Sequence, residues 1–148
     1  MTWDPSQYLR YDIERSQPAR DLIAALGDVD PTEIVDLGCG TGNSTALLEQ
    51  RWPQASLTGI DGSTEMLNQA SQSVVSAAWH AADISTWRPD TPVDLIFSNA
   101  ALHWLDDHTT LFPQLIGTLA ELGALAVQMP YNFSQPSHTL INDIANSN

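Results

Sequence analysis

Three glycines and one aspartate give this chain its strongest chemical signal. Gly38, Gly40 and Gly42 alternate in DLGCGTG, directly after the apolar segment EIVDL. Glycine reaches positive φ angles without strain and lets a ligand approach the backbone closely. Asp61 ends the next apolar segment, SLTGID, where a carboxylate can accept hydrogen bonds from the hydroxyls of a ribose. Together these residues predict a site for a nucleoside.

The spacing of the glycines separates the kinds of nucleotide that such a loop could bind. The dinucleotide fingerprint is G-x-G-x-x-G, whereas here the third glycine comes one residue early. A Walker A loop needs a lysine, and the five basic residues of this chain are all arginines. A nicotinamide dehydrogenase is therefore a distant alternative, and a phosphate-free adenosyl ligand is favoured.

The elements that must position these residues alternate between strand and helix. Short apolar runs predict buried strands, and amphipathic segments between them predict helices. This alternation is typical of right-handed βαβ units, and it predicts an α/β fold, doubly wound and Rossmann-like, with a mostly parallel sheet. The predicted strands are residues 33–37, 56–61, 76–83, 93–102 and 123–130. The predicted helices are residues 44–52, 64–72 and 108–122, an N-terminal segment of about 6–26 broken at Pro18, and a last one within 132–148.

Composition limits the class of protein and its partners. The 148 residues suit a single domain spanning 1–148. The net charge is −13, from 18 acids against five arginines. This charge argues against binding to nucleic acid and against binding to an anionic membrane surface. The only cysteine is Cys39, so no intrachain disulfide can form. The chain starts without a signal peptide and is expected in the cytoplasm, while its oligomeric state stays open.

The glycine loop also carries a resemblance to a known family. DLGCGTG resembles motif I of the class I S-adenosylmethionine-dependent methyltransferases. The resemblance implies the fold of that family and S-adenosyl-L-methionine as cofactor. It implies that Asp61 binds the ribose and that Asp36 lies near the amino group of the cofactor. The other cofactor positions that it implies are Gly62, Ser63 and Met66 around the adenine, Asp83 and Ile84 at the adenine edge, and Asn99 and Ala100 under the methionine part.

A closer resemblance covers most of the chain. WDPSQYLRYDIERSQPARDLI, GNSTALL, QRWP and DLIFSNAALHWLDDHTTLFPQL resemble the trans-aconitate 2-methyltransferase family. This implies an O-methyltransferase that forms a monomethyl ester on a carboxylate of trans-aconitate or a similar small acid. It also implies substrate or cofactor contacts at His103, Trp104, Arg15 and Tyr8, and Arg10 is a further cation for an acidic ligand. Members of this family are longer, so the chain is expected to be a fragment that lacks the last strands.

The acceptor chemistry needs no catalytic base. A carboxylate with a pKa near ~4 is already ionised at pH 7, so the protein has to position it rather than deprotonate it. Two alternatives remain open: a truncated cofactor-binding module without activity, and a methyltransferase for another small-molecule acceptor.

Several of these residues also have simpler interpretations. Met66 and Ile84 suit a hydrophobic core, Asp83 suits a turn, and His103 suits packing on Trp104. The run DDHT at residues 106–109 matches no zinc-ligand spacing, so a helix start is expected there and no metal site.

Overall fold

The computed structural model describes the backbone of residues 5–130 and the side chains of residues 13–130. The helix predicted within residues 132–148 and the side chain of Tyr8 lie outside these ranges. The elements are α1 (Pro5–Ala25), β1 (Glu33–Leu37), α2 (Asn43–Arg51), β2 (Ser56–Asp61), α3 (Thr64–Ser73), β3 (Ala78–Ala81), β4 (Val93–Asn99), a 3₁₀ turn (Leu102–Trp104), α4 (His108–Ile116) and β5 (Leu119–Gln128).

All five strands form one parallel sheet in the order β3-β2-β1-β4-β5. The chain adds β2 and β3 on one side of β1 and then crosses to the other side for β4 and β5. The order of the strands therefore reverses between β1 and β4, and ligands of such folds bind at the carboxyl ends of the strands near this point. The predicted α/β, doubly wound fold is confirmed.

Two hydrophobic clusters cover the two faces of the sheet. On the face toward α1 and α2, Ile34 and Phe97 pack with Leu48. On the face toward α4, Leu37 and Ile96 pack with Leu115. Side chains alternate between faces along a strand, which is why EIVDL and VDLIF carry apolar residues that point to both faces.

The N-terminal helix is continuous, so the predicted break at Pro18 is wrong. Helix α1 runs through this proline from Pro5 to Ala25. A proline inside a helix costs about 3 kcal/mol. The turn that follows offsets this cost because Ala19 and Ile23 are buried in the core; full burial of a side chain such as Ile23 stabilises by about 1.5–3 kcal/mol. Gln17 also donates a hydrogen bond to Asp21 across the proline at 2.7 Å.

The boundary between α4 and β5 differs from the prediction, which placed a helix over residues 108–122. The helix ends at Ile116, and the Gly117–Thr118 backbone N–H groups close the last turn at 2.9 and 3.0 Å. Strand β5 then begins at Leu119, with an irregularity in register between Val93 and Leu95 of β4. The segment TLAEL is apolar enough to fit either element, and pairing with β4 decides it. The third strand is also shorter than predicted, covering residues 78–81.

Asp94 fixes the start of β1 against β4. One of its carboxylate oxygens accepts hydrogen bonds from the Thr32 backbone N–H (2.9 Å), the Thr32 hydroxyl (2.7 Å) and the Glu33 backbone N–H (3.0 Å). The Thr32 hydroxyl, followed by the two N–H groups, lowers the pKa of Asp94. Within residues 5–130, no helix is long and apolar enough to cross a membrane.

Candidate functional site

The glycine loop lies between β1 and α2, at the point where the strand order reverses. Gly38, Gly40 and Gly42 all have positive φ angles, of 78°, 55° and 86°. A Cβ atom on Gly38 would lie 2.3 Å from the Cβ of Ala101, so no larger residue fits there. Gly40 has only the Met66 sulfur nearby, at 3.8 Å. The loop therefore has free space beside Gly40 and is tightly packed at the Cβ position of Gly38.

Gly42 packs against neighbouring side chains and lines neither of the two clefts described below. It is the N-cap residue of α2, and a Cβ on it would meet Ala70 at 3.0 Å and the Trp79 indole at 3.2 Å. The same indole lies against Gly59, where an added Cβ would be 2.4 Å away. Trp79 thus packs against the glycine loop at Gly42 and against β2 at Gly59, a contact that the sequence pattern did not predict.

Asp61 joins the end of β2 to the glycine loop. One carboxylate oxygen accepts a hydrogen bond from the Gly40 backbone N–H at 2.9 Å, and the other accepts from the Ser63 backbone N–H at 2.9 Å. Two carboxylate oxygens offer about four acceptor positions, so lone pairs remain for a ligand. Ser63 in turn caps α3 by accepting from the Met66 N–H.

A cleft of about 700 Å³ opens at the ends of β2, β3 and β4. It brings together most residues that the sequence predicted around a nucleoside. Asp83 is held in a turn by the Ser85 hydroxyl and N–H, which lower its pKa. The lining consists of Gly38, Gly40, Asp61, Gly62, Ser63, Met66, Ala81, Ala82, Asp83, Ile84, Ala100, Ala101 and Trp104.

A second cleft of about 300 Å³ lies between α1 and the glycine loop. It shares Gly38, Gly40, Met66 and Ala100 with the first cleft, so the two form one continuous site. Arg15 of α1 lines this part together with Asn99 of β4. The lining also includes polar residues of the loop and of the first turn of α2, namely Thr41, Asn43 and Ser44.

Asp36 is buried and bonds to Ser44, which lines the second cleft. One of its oxygens accepts hydrogen bonds from the Ser44 hydroxyl at 2.8 Å and the Thr45 hydroxyl at 2.6 Å. Its other oxygen, Oδ1, is buried without a partner among the described residues. Burial raises the pKa of Asp36 to about 6, which the hydrogen bonds from Thr45 and Ser44 oppose and the nearby charge of Asp61 reinforces.

Two amide side chains stand on the same face of the sheet as Asp36. Asn99 of β4 and Gln128 of β5 are register partners. The side-chain oxygens of both are buried and have no hydrogen-bond partner within residues 13–130. By strand alternation both stand on the same face as Phe97 and Ala126, whose cluster packs against α1. Asp36 stands on this face too, as its bonds to α2 require.

The loop after β4 has a strained backbone. Ala100 has a φ of 54°, a left-handed conformation that L-residues adopt at a cost of about 1–2 kcal/mol. Its N–H donates to the Gln128 carbonyl at 2.9 Å. This kink places Ala100 and Ala101 against the glycine loop, where they line the site.

His103 and Trp104 follow in the 3₁₀ turn. Their rings contact each other with centroids 4.6 Å apart and planes tilted by 40°, so His103 packs on Trp104 as its simpler interpretation predicted. The ring atom Nδ1 of His103 is buried without a partner among the described residues. Trp104 is 79% exposed and stands at the rim of the larger cleft. His103 does not line either cleft.

Asp107 and His108 are engaged at the start of α4. The Asp107 carboxylate caps this helix by accepting from the Thr110 N–H. A ring nitrogen of His108 lies 2.7 Å from the Leu102 carbonyl, and the ring stacks on Phe112. These bonds confirm the predicted helix start.

The charges of the site decide what kind of ligand suits it. Asp61 and Asp83 line the larger cleft, and Asp36 is buried next to Ser44 of the smaller cleft. Arg15 is the basic residue in the two linings. The Gly40 N–H, which a phosphate-binding loop would offer to an anion, is already taken by Asp61. The site therefore suits a ligand that brings hydroxyls or positive charge, and it disfavours a pyrophosphate.

Comparison with known proteins assigns the chain to a family. A family model described as a methyltransferase domain matches residues 34–123. This match spans more than half of the chain, and the chain belongs to that methyltransferase family, as its glycine loop indicated.

One named relative is similar over nearly the whole chain. The trans-aconitate 2-methyltransferase of Klebsiella pneumoniae (strain 342) is 52% identical over 97% of this chain. The chain spans 56% of that relative's length.

Solved structures share the fold. The chain aligns over 80% of its length, and over 55% of the other chain, with an S-adenosylmethionine dependent methyltransferase from Mesorhizobium loti, at 28% identity and a TM-score of 0.67. A plantazolicin methyltransferase, BpumL, crystallised with a pentazolic desmethylPZN analog and SAH, aligns with a TM-score of 0.71 at 23% identity, covering 98% of this chain and 59% of that one.

Proposed function

We propose that this chain binds S-adenosyl-L-methionine and forms the cofactor half of an O-methyltransferase for trans-aconitate or a similar small carboxylic acid. One observation carries the proposal. The Asp61 carboxylate is fixed by the Gly40 N–H at the end of β2, which occupies that amide, and still has free lone pairs for a ligand in the adjoining cleft. A ribose with two hydroxyl donors and no phosphate matches this arrangement.

The larger cleft accommodates the adenosyl part of the cofactor. Asp61 accepts hydrogen bonds from the ribose hydroxyls, and Gly62 and Ser63 lie beside it. Met66, which is 45% exposed, offers its side chain to one face of the adenine. Asp83 and the adjacent Ile84 close the far end of the cleft, where the adenine edge lies.

The smaller cleft fits the amino-acid end of the cofactor. Arg15 and Asn99 line this cleft and supply a cation for the carboxylate and an acceptor for the ammonium group. The buried, unpartnered Oδ1 of Asp36, which lies behind Ser44 rather than in the lining, is the second acceptor. Buried acceptors without partners are rare in proteins, and a ligand with several N–H donors satisfies both. When bound, the cofactor supplies an activated methyl group on a sulfonium.

The chain's own residues have a positioning task in this reaction. An acceptor carboxylate is already ionised at pH 7, so no side chain has to remove a proton. The protein must orient the carboxylate and exclude water. Trp104, exposed at the rim of the cleft, offers an apolar surface for this purpose, and its ring contacts that of His103. The small acid is trans-aconitate in the name of the Klebsiella relative.

Calorimetric titration with S-adenosylhomocysteine tests the cofactor site. Wild-type protein is expected to bind this ligand and to bind NADH and ATP far more weakly. Asp61→Asn is expected to weaken S-adenosylhomocysteine binding about 10- to 100-fold, the size of hydrogen bonds to a charged acceptor. Asp90→Asn, an exposed aspartate away from both clefts, is the matched control. Folded wild-type protein that fails to bind, or an unchanged affinity in Asp61→Asn, contradicts the proposal.

Methyl transfer is tested separately. The chain spans 56% of the length of the Klebsiella relative, and this favours a second candidate, a cofactor-binding module without activity. Formation of a monomethyl ester from trans-aconitate and labelled cofactor supports the enzyme. Cofactor binding with no ester from trans-aconitate supports the module, and turnover of another small acid supports a methyltransferase for a different acceptor.

We also propose that residues 1–148 form a single domain located in the cytoplasm. Two strands on each side of β1 share one continuous sheet, which supports one folding unit. The thiol of Cys39 is free and buried, which suits a reducing compartment. Limited proteolysis that releases a stable part of the described region would contradict the single domain.

A further inference from the structure

Gln128 lies beside the site at a position that the cofactor does not require. It ends β5, next to Asn99 at the end of β4, and neighbouring strands run about 4.8 Å apart. Both amides stand on the α1 face of the sheet, at the same edge as the smaller cleft. Asn99 lines that cleft, so Gln128 is one strand further out.

The order of the strands indicates from which side an acceptor can approach the proposed cofactor. The adenosyl cleft lies over β2 and β3, and the amino-acid end of the proposed cofactor lies over β1 and β4. Continuing in the same direction, the next strand end is that of β5. An acceptor must approach the cofactor from a side that the cofactor does not occupy, and Gln128 is the polar side chain at this strand end.

The chemistry of the amide pair suits a carboxylate. Each amide has an oxygen buried without a partner in the described part of the chain. A half-turn about the terminal bond of Gln128 exchanges its oxygen with its NH₂ group, so that Gln128 can present N–H donors to an anion. Asn99 keeps its oxygen toward the proposed ammonium group and offers its own NH₂ group beside it. Neutral donors orient a carboxylate without neutralising it, which leaves its charge available for attack on an electrophile.

We propose that Gln128, supported by Asn99, is a specificity-determining residue that binds and orients the acceptor carboxylate. This inference rests on the proposed function of the site. It adds a residue of β5 to a site whose other strands are β1 to β4, and it identifies the ligand at the end of β5 as a carboxylic acid.

Titration of trans-aconitate into protein saturated with S-adenosylhomocysteine tests this assignment. Gln128→Leu is expected to weaken trans-aconitate binding about 10- to 100-fold and to change the affinity for S-adenosylhomocysteine less than about 2-fold. Gln128→Glu is expected to weaken trans-aconitate binding as well, because it places a like charge beside the ligand. Gln69→Leu, on the exposed side of α3, is the matched control and is expected to leave both affinities unchanged.

The outcomes separate this inference from the proposed function. Wild-type protein that binds S-adenosylhomocysteine but not trans-aconitate overturns the role of Gln128 and leaves the cofactor site standing. Equal trans-aconitate affinity in Gln128→Leu and wild type also overturns it, as does a parallel loss of both ligands. Failure of wild-type protein to bind S-adenosylhomocysteine overturns both proposals.

Discussion

Replacing Asp36 by asparagine removes a buried charge from the site while keeping the size of the side chain. The asparagine oxygen can accept the hydrogen bonds from Ser44 and Thr45, and its NH₂ group then takes the place of the unpartnered Oδ1. The substitution therefore isolates the effect of the charge. We expect it to stabilise the protein at neutral and higher pH and to weaken cofactor binding.

The magnitude follows from the pKa of Asp36. Burial raises this pKa from 3.8 to about 6. Between these values the folded state binds more protons than the unfolded chain, so the free energy of unfolding falls as pH rises. The destabilisation is nearly complete above about pH 7 and amounts to about 3 kcal/mol, of which about 1–2 kcal/mol develops between about pH 5 and pH 8. Asp36→Asn lacks this titration, so its advantage over wild type grows with pH.

Urea unfolding of both proteins at pH 5 and pH 8 measures this difference. Asp94→Asn is a control of opposite sign, because hydrogen bonds from Thr32 and Glu33 lower the pKa of Asp94. The stability that Asp94 contributes is present at pH 8 and is lost only as pH falls through its lowered pKa. A stability difference between Asp36→Asn and wild type that does not change from pH 5 to pH 8 would refute the reasoning. So would a difference that shrinks as pH rises.

The same substitution separates stability from binding. The Oδ1 atom of Asp36 is proposed to accept from the ammonium group of the cofactor, and asparagine cannot offer that negative charge. We expect S-adenosylhomocysteine to bind about 10-fold more weakly to Asp36→Asn at pH 8, by calorimetry. A buried charge that destabilises the fold yet serves a ligand is a common feature of functional sites.

Two backbone positions give further predictions. Gly38→Ala places a Cβ 2.3 Å from Ala101 and is expected to lower the thermal midpoint of unfolding strongly. Gly27→Ala is the control, because Gly27 also has a positive φ, of 63°, but has open space around it. Equal losses in the two variants would mean that backbone strain alone accounts for the need for glycine at position 38. Leu122→Gly is expected to stabilise by about 0.5–1 kcal/mol in urea unfolding, because Leu122 has a φ of 65° and is 97% exposed; a loss of stability would contradict this.

The strands and the loop could be predicted because their signals are local. Apolar runs mark β1, β2 and β4, and the alternating glycines mark the turn after β1. The positions of Asp61 and Asp83 follow from the rule that strand ends meet at one edge of a parallel sheet. The same rule applied to β5 would have found Gln128.

Two boundaries could not be predicted because local propensity and tertiary packing disagree. Pro18 breaks a helix in isolation, yet burial of Ala19 and Ile23 keeps α1 continuous. The segment after Gly117 fits a helix by its apolar spacing, yet pairing with β4 makes it a strand. In both cases contacts between residues far apart in sequence outweigh the preference of the segment itself.

The sequence by itself determined the family, the order of the elements and the acids at the strand ends, since these depend on residue types and spacing along the chain. Only the tertiary structure decided which polar atoms lack partners and which glycines line a cleft rather than only packing against neighbouring side chains. Gly42 turned out to pack on Ala70 and Trp79, while Asp36, Asn99 and Gln128 came to share one face of the sheet. The physical reason is that burial and hydrogen-bond satisfaction depend on distances between strands and helices, which no local pattern encodes.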